Sequence, residues 1–126
     1  MNRPLIAVIF ILVAIGIAVT SLFYIKDTQR TMTELLDNTL KTATKGNEQV
    51  TKKHLENILE HWEERDDLLN VFIGQSQTND VKGALSMALR FAELGDNEQV
   101  ILYINECKTE LERIKNANEP SLSTIL

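Results

Sequence analysis

The stretch that decides the fold runs from residue 5 to residue 45, reading LIAVIFILVAIGIAVTSLFYI over 5–25 and KDTQRTMTELLDNTLKTATK over 26–45. The first part has no charged residue, and as a helix its 21 residues would be about 31 Å long. Because the hydrocarbon core of a bilayer is about 30 Å thick, this part predicts a transmembrane helix. The second part lacks Gly and Pro and keeps a three-to-four-residue spacing, which predicts that the helix continues into water. The predicted inward stripe is Ile25, Gln29, Met32, Leu36, Leu40 and Ala43.

The composition of the whole chain hides this division. Of the 126 residues, 44% are hydrophobic and 25% are charged, as in an ordinary soluble domain. However, 30 of the 31 charged residues follow residue 25, and only Arg3 precedes it. Residues 26–126 carry 12 basic and 18 acidic side chains, a net charge of −6. This balance argues against nucleic-acid binding, because contacts with phosphates need Lys and Arg.

The sequence leaves two questions about the segment 1–25 open: whether it is cleaved, and on which side of the membrane the rest of the chain lies. A basic start and the small residues Gly16 and Ala18 also suit a cleaved secretory signal, but the apolar run outlasts the usual hydrophobic region of about 7–15 residues, which favours an uncleaved anchor. Counting Lys and Arg on either side would place the C-terminal part in the cytoplasm, whereas a basic start before an apolar helix is typical of an export signal. We expect an extracytoplasmic C-terminal domain.

The remaining sequence predicts further helices separated by turns. Gly46 suits a helix C-terminus with positive φ, Asn47 suits the next N-cap, and Asp96 with Gln99 forms a capping-box pair. The tetrapeptide Asn-Glu-Gln-Val occurs at 47–50 and again at 97–100, which we attribute to shared turn chemistry, with descent from an internal repeat as the alternative. A polar loop is predicted at 74–79, and the helices at about 26–45, 48–73, 80–94 and 97–116.

Nothing in the chain alternates like a β-strand, so the predicted fold class is all-α. We expect an N-terminal transmembrane helix, 1–25, that continues into a small helical bundle of two antiparallel helix hairpins. The helical domain would span 26–117 and a C-terminal tail 118–126. The apolar end of that tail would fold back onto the bundle or serve as a docking peptide; its apolar residues are Leu122, Ile125 and Leu126.

Few residues are of types that carry chemistry. His54 and His61 lie seven positions apart on one predicted helix, about 10 Å along its axis, which is too far to share a metal without other ligands. Cys107 is the only cysteine and no His follows His61, so we interpret it as a small helix residue, with an intermolecular disulfide as the alternative. Trp62 lies on the predicted apolar face of the second helix, which comprises Val50, Leu55, Ile58, Leu59, Trp62, Leu69 and Phe72. Burial there would join the hairpins, and exposure would make Trp62 a contact residue.

An acidic run on the second helix suits either a solvated face or a surface for a cation or basic partner, and we favour the solvated face. The run comprises Glu60, Glu63, Glu64, Asp66 and Asp67. We expect no catalytic residue, no cofactor-binding residue and no metal site in this chain.

Several residues together resemble a known family. They are the basic start with its apolar helix, Trp62, Leu69-x-x-Phe72-Ile73, Ala84-Leu85, the Gly95-Asp96 turn and the ending PSLSTIL at 120–126. In these features the chain resembles bacterial domain of unknown function family 4363, small membrane-anchored helical proteins. The resemblance implies a fold and a location but no activity. Members often have Asp-His after the Phe-Ile pair, where this chain has Gly74-Gln75, so any role of that His would be missing here.

The sequence thus predicts a single-pass protein of the cell membrane that presents a small acidic helical interaction domain and is not an enzyme. Its role would be tethering or scaffolding, because confinement to a surface raises the effective concentration of a binding domain. The expected partners are the lipid bilayer and another protein or a second copy of the chain. The alternatives are a cytoplasm-facing regulatory subunit of a membrane complex and a cleaved, secreted helical domain.

Overall fold

The computed structural model describes residues 2–118, and these form four helices and no strand. The helices are α1 (Arg3–Thr44), α2 (Glu48–Ile73), α3 (Gln75–Glu93) and α4 (Asn97–Asn118). Each helix packs against the next, and α4 returns to pack against α1, so neighbouring helices are antiparallel in a closed four-helix bundle. The predicted all-α fold is confirmed. Apart from Asn118, the predicted tail 118–126 lies outside the described residues.

Helix α1 is one uninterrupted helix of 42 residues, about 63 Å long, and only its second part belongs to the bundle. Its buried residues are Ile25, Thr28, Met32, Leu36, Thr39 and Ala43. The predicted stripe is therefore correct except that Thr28 and Thr39 are buried in place of Gln29 and Leu40, which are half-buried. Burial of Thr39 is tolerated because its hydroxyl donates to the carbonyl of Leu35 at 2.8 Å.

The connection between α2 and α3 differs from the prediction. The prediction of a polar loop at 74–79 is wrong. Helix α2 ends at Ile73, Gly74 alone reverses the chain, and α3 begins at Gln75. Gly74 makes this turn possible with φ +93° and ψ 151°, a conformation that is accessible almost only to glycine. The polarity of glutamine and serine suggested a loop, but glutamine is a good helix former. The first turn of α3 is therefore helical, with the side chains of Gln75, Ser76 and Asn79 in solvent.

The α1–α2 turn has the predicted chemistry. Gly46 has φ +77°, and the side chain of Asn47 accepts a hydrogen bond from the backbone N–H of Val50 at 3.4 Å. The backbone N–H of Asn47 also donates to the carbonyl of Thr42 at 3.0 Å, a bond that satisfies one of the free carbonyls at the end of α1.

The α3–α4 turn uses its residues differently, although the tetrapeptide is identical. Here Asp96 is the cap, since its carboxylate accepts from the backbone N–H of Gln99 at 3.3 Å, as predicted for this pair. Asn97 therefore does not cap α4, and its side-chain amide instead donates to the carbonyl of Ala43 at 2.8 Å. This bond joins the start of α4 to the end of α1 and closes the bundle at the end farthest from the apolar segment.

The core of the bundle contains apolar side chains from all four helices. Besides the residues of α1, it contains Leu55, Ile58, Trp62, Leu69, Val81, Ala84, Leu85, Ala88, Val100, Ile104, Cys107, Leu111 and Ile114. Trp62 is 1% exposed, so of the two roles considered for it burial is correct. Val50 departs from the predicted face of α2: it is exposed, and Thr51 is buried beside it.

Candidate functional site

The largest groove of the bundle for which a lining is described lies between α1 and α2 and has a volume of about 320 Å³. It is lined by Leu35, Asn38, Thr39, His54, Asn57, Ile58 and His61. The buried side chains of Thr39 and Ile58 form its floor, and exposed Asn38 and Asn57 stand at its rim. This volume is at the lower end of the range of pockets that bind small ligands.

Both histidines considered from the sequence line this groove. The helical repeat places His54 and His61 on the same side of α2, two turns apart, as their spacing predicts. Asn57 and Ile58 lie between them, and the lining contains no carboxylate and no thiol. Among residues 2–118 no three His, Cys, Asp or Glu side chains are grouped so that they could hold a metal ion. What the groove offers is hydrogen-bonding groups.

The ring of His61 has a defined tautomer. Its Nδ1 lies 3.2 Å from Nη1 of Arg65, and a guanidinium can only donate, so Nδ1 accepts and Nε2 carries the ring hydrogen. Burial and then the positive charge of Arg65 lower the pKa of His61, while Glu64 and Asp27 act in the opposite direction. His61 is therefore a neutral donor at neutral pH.

Two donors in this region have no partner among the described residues. They are Nε2 of His61 and Nε of Arg65, and both atoms are buried from solvent. A buried N–H without an acceptor costs about 1–3 kcal/mol relative to a satisfied one. The two N–H groups are therefore unsatisfied donors inside the folded bundle rather than groups displayed in the groove.

Sequence reasoning found the histidines but missed the rest of the groove. Asn38 and Thr39 are more than ten residues away from His54 along the chain and reach the groove only because α1 and α2 are antiparallel. No spacing within one helix signals this.

The acidic run of α2 is solvated for the most part. Glu60, Glu63, Glu64 and Asp67 are exposed, and Asp66 is half-buried. Glu63 forms one ion pair with Lys82 of α3, at 3.8 Å and with both side chains well exposed, so it contributes little to stability.

Cys107 is a core residue. Its side chain is fully buried, with Sγ 4.0 Å from the carbonyl of Val81, and burial together with Glu110 and Glu106 raises the pKa of its thiol to about 12. A protonated, enclosed thiol is neither a nucleophile nor accessible to the thiol of another molecule. In the folded bundle the intermolecular disulfide considered from the sequence has no route to form.

The apolar half of α1 lies outside the bundle. Its most apolar window of 18 residues has a mean hydropathy of 2.9, and none of it is buried against other parts of the chain. Phe10 and Phe23 are each 70% exposed. Burial against the bundle begins at Tyr24, whose ring meets that of Phe72 edge to face, with centroids 6.2 Å apart. One helix of this chain is therefore long and apolar enough to cross a membrane.

Comparison with protein families gives one match, over residues 19–125, to a family described as Domain of unknown function (DUF4363). The chain belongs to this family. The DUF4363 match begins at Val19, within the apolar half of α1, and includes the whole bundle. The domain of this family thus includes the point at which α1 leaves the bundle. No curated protein and no solved structure matches the chain.

Proposed function

We propose that this protein is a single-pass membrane protein that presents its acidic four-helix bundle to another protein or to a second copy of itself, without catalysing a reaction. The observation that carries the proposal is the continuity of α1 from Arg3 to Thr44. Its apolar part is exposed along its whole length, and its remainder supplies core residues to the bundle. A helix built in this way couples a bilayer to a folded domain without a flexible linker.

The bundle is suited to binding rather than to chemistry. The groove between α1 and α2 presents the amides of Asn38 and Asn57 and the imidazole of His54 above a buried floor, a combination that accepts polar side chains of a partner. The thiol of Cys107, the single cysteine of the chain, is enclosed and protonated and so cannot act as a nucleophile in the folded bundle. Membrane attachment would raise the effective concentration of the groove for a partner on the same surface.

Membrane insertion is tested by fractionating cells that express the full chain and washing the membranes at alkaline pH. We expect the wild-type chain to stay in the pellet and the double variant Ile11→Arg/Ile15→Arg to be released, because charges in the bilayer centre are costly. Lys52→Arg, on the exposed surface of α2, is the matched control. Release of the wild-type chain by the wash would contradict the anchor.

We further propose that the bundle is extracytoplasmic. A membrane-impermeant thiol reagent should label Lys52→Cys in intact cells, while buried Cys107 leaves the parent chain unlabelled. Labelling only after permeabilisation would favour the cytoplasm-facing subunit instead. N-terminal sequencing of the mature chain tests cleavage, and a new terminus near Ala18 would favour the secreted domain.

The partner is sought by photocrosslinking in native membranes. A crosslinker at Asn57, on the groove rim, should capture a discrete product that one at Asn105, exposed on α4, does not capture. The same products from both positions would argue against the groove as the binding face. A product twice the mass of the chain would identify self-association.

A further inference from the structure

The corner between α2 and α3 lies at the level where α1 leaves the bundle. Phe72, near the end of α2, packs edge to face on Tyr24 of α1. The adjacent residues Ile25 and Ile73 both line a small void inside the bundle. Ile114 of α4 lines that void as well, so three helices meet at this end. If the apolar part of α1 is in a bilayer, this corner lies at its surface.

The same corner exposes apolar side chains. Val71 is 76% exposed, the highest value among the large apolar residues that the structure describes, and Leu68 is 46% exposed. The two are three positions apart and so share one side of α2. Apolar surface of this kind is unfavourable in water but is stabilised where it contacts lipid.

Charge is absent from this corner. Residues 68–79 read LLNVFIGQSQTN, twelve consecutive uncharged residues, the longest such run after the apolar segment of α1. The exposed residues of its α3 side are the neutral Gln75, Ser76 and Asn79. The two turns at the opposite end of the bundle are charged, with Lys45, Glu48, Glu93, Asp96 and Glu98. The α2–α3 turn therefore differs in charge from the two turns at the opposite end of the bundle.

From these observations we propose that the α2–α3 corner, residues 68–79, is a second membrane contact that rests in the headgroup layer of the bilayer beside α1. This inference rests on the proposed transmembrane role of α1. Val71 and Leu68 would enter the boundary between headgroups and acyl chains, and the neutral polar groups of Gln75 and Ser76 would bond headgroups and water. The occupant is a lipid surface, because the corner packs on Tyr24, beside which the exposed apolar part of α1 ends.

A second contact fixes the orientation of the bundle. A helix crossing at one point can tilt and rotate, whereas two contacts on different helices restrict both motions. His61 is ten residues before Val71 on α2, so its end of the groove would be held about 15 Å from the corner. A partner that uses the groove would then have to reach it close to the membrane.

The test measures lipid contact in the full chain reconstituted in phosphatidylcholine vesicles. An environment-sensitive dye is attached at Val71→Cys or at Leu94→Cys, which is 66% exposed at the opposite end of the bundle and is the matched control. Buried Cys107 stays unlabelled. Lipids with a nitroxide near the headgroup should quench the dye at position 71 several-fold more strongly than the dye at position 94.

A dye at Val13→Cys, in the middle of the apolar part of α1, separates the two proposals. With a nitroxide deep in the acyl chains, quenching at position 13 reports insertion of α1. Quenching at 13 with equal, weak quenching at 71 and 94 would overturn the corner contact and leave the anchor intact. No quenching at 13 would overturn the anchor, and the corner contact with it.

A charge at the corner gives an independent test. With the dye at Ser76→Cys, the substitution Val71→Asp should abolish quenching by the headgroup nitroxide, whereas Leu94→Asp should leave it unchanged. Because Val71 is so exposed, the substitution removes little packing, and the emission of buried Trp62 verifies that the bundle is folded. Unchanged quenching in the folded Val71→Asp variant would overturn the proposal.

Discussion

Trp62 donates a hydrogen bond from its indole Nε1 to the backbone carbonyl of Thr78, at 3.3 Å and out of contact with solvent. The bond joins the middle of α2 to the first turns of α3. The hydroxyl of Thr78 in turn donates to the side-chain carbonyl of Asn70, back on α2. Thr78 makes both contacts from within α3, so the two bonds hold the first turn of α3 against α2.

We expect Trp62→Ala to be the most destabilising single substitution in this corner, by about 3–5 kcal/mol, because it leaves a large cavity and removes the indole bond. The free energy of unfolding is measured by denaturant titration of the full chain in detergent, followed by circular dichroism because the fluorophore is lost. The control is Leu68→Ala, at an exposed position, which should change stability by no more than about 0.5 kcal/mol. Equal effects of the two substitutions would mean that Trp62 is not a packing residue.

Two glycines of α3 and its preceding turn should respond in opposite directions to alanine. Gly74→Ala should destabilise the bundle by about 1–3 kcal/mol, because the backbone there has φ +93° and ψ 151°. Gly83→Ala should stabilise it by about 0.5–1 kcal/mol, since Gly83 lies inside a helix and an added Cβ would meet open space. Trp62 fluorescence during denaturation measures both, and a stabilising Gly74→Ala would contradict the turn.

The stability of the bundle should fall on acidification through His61. The folded state lowers the pKa of this residue, by burial first and by Arg65 second, so below the ordinary value of 6.5 the unfolded chain binds a proton that the folded chain resists. The loss begins as the pH falls through 6.5 and is complete below the folded pKa. Unfolding titrations across this range should show a smaller decline for His61→Gln than for wild type. Asn57→Gln, on the same groove and without a titratable group, should retain the wild-type decline; loss of the decline in both variants would shift the explanation away from His61.

The thiol of Cys107 should be unreactive towards alkylating reagents in the folded bundle. Burial raises its pKa to about 12, so at mildly alkaline pH it is protonated as well as enclosed. A small alkylating reagent should react with it only through unfolding, and the reaction should accelerate by orders of magnitude in denaturant. Lys52→Cys in the same protein supplies an exposed thiol for comparison. Rapid modification of Cys107 without denaturant would show that α4 opens away from α3.

Much of the fold was predictable from local patterns. The spacing of apolar residues predicted α2 at its observed bounds, and Gly46 with Asn47 predicted the first turn, because helix periodicity and capping act within a few residues. The segment 74–79 was not predicted correctly, since Thr78 is buried against α2 and bonded to Trp62, which lies sixteen positions earlier in the chain. Local polarity carries no information about such a partner.

The same distinction applies to the candidate site. The histidines could be named from the sequence, but Asn38 and Thr39 join them only through the antiparallel pairing of α1 with α2. The tautomer of His61 likewise depends on how the ring meets Arg65.

By itself, the sequence determined that the chain is helical, that one segment is apolar enough for a bilayer, and that nearly all charge lies beyond it, because composition and periodicity are local properties. Only the tertiary structure decided which residues from distant parts of the chain lie next to one another. It placed uncharged residues 68–79 next to Tyr24 at the end of the apolar segment, and the charged turns at the far end. The physical reason is that antiparallel packing of long helices brings together residues far apart in the chain, and burial of the shared core fixes their register.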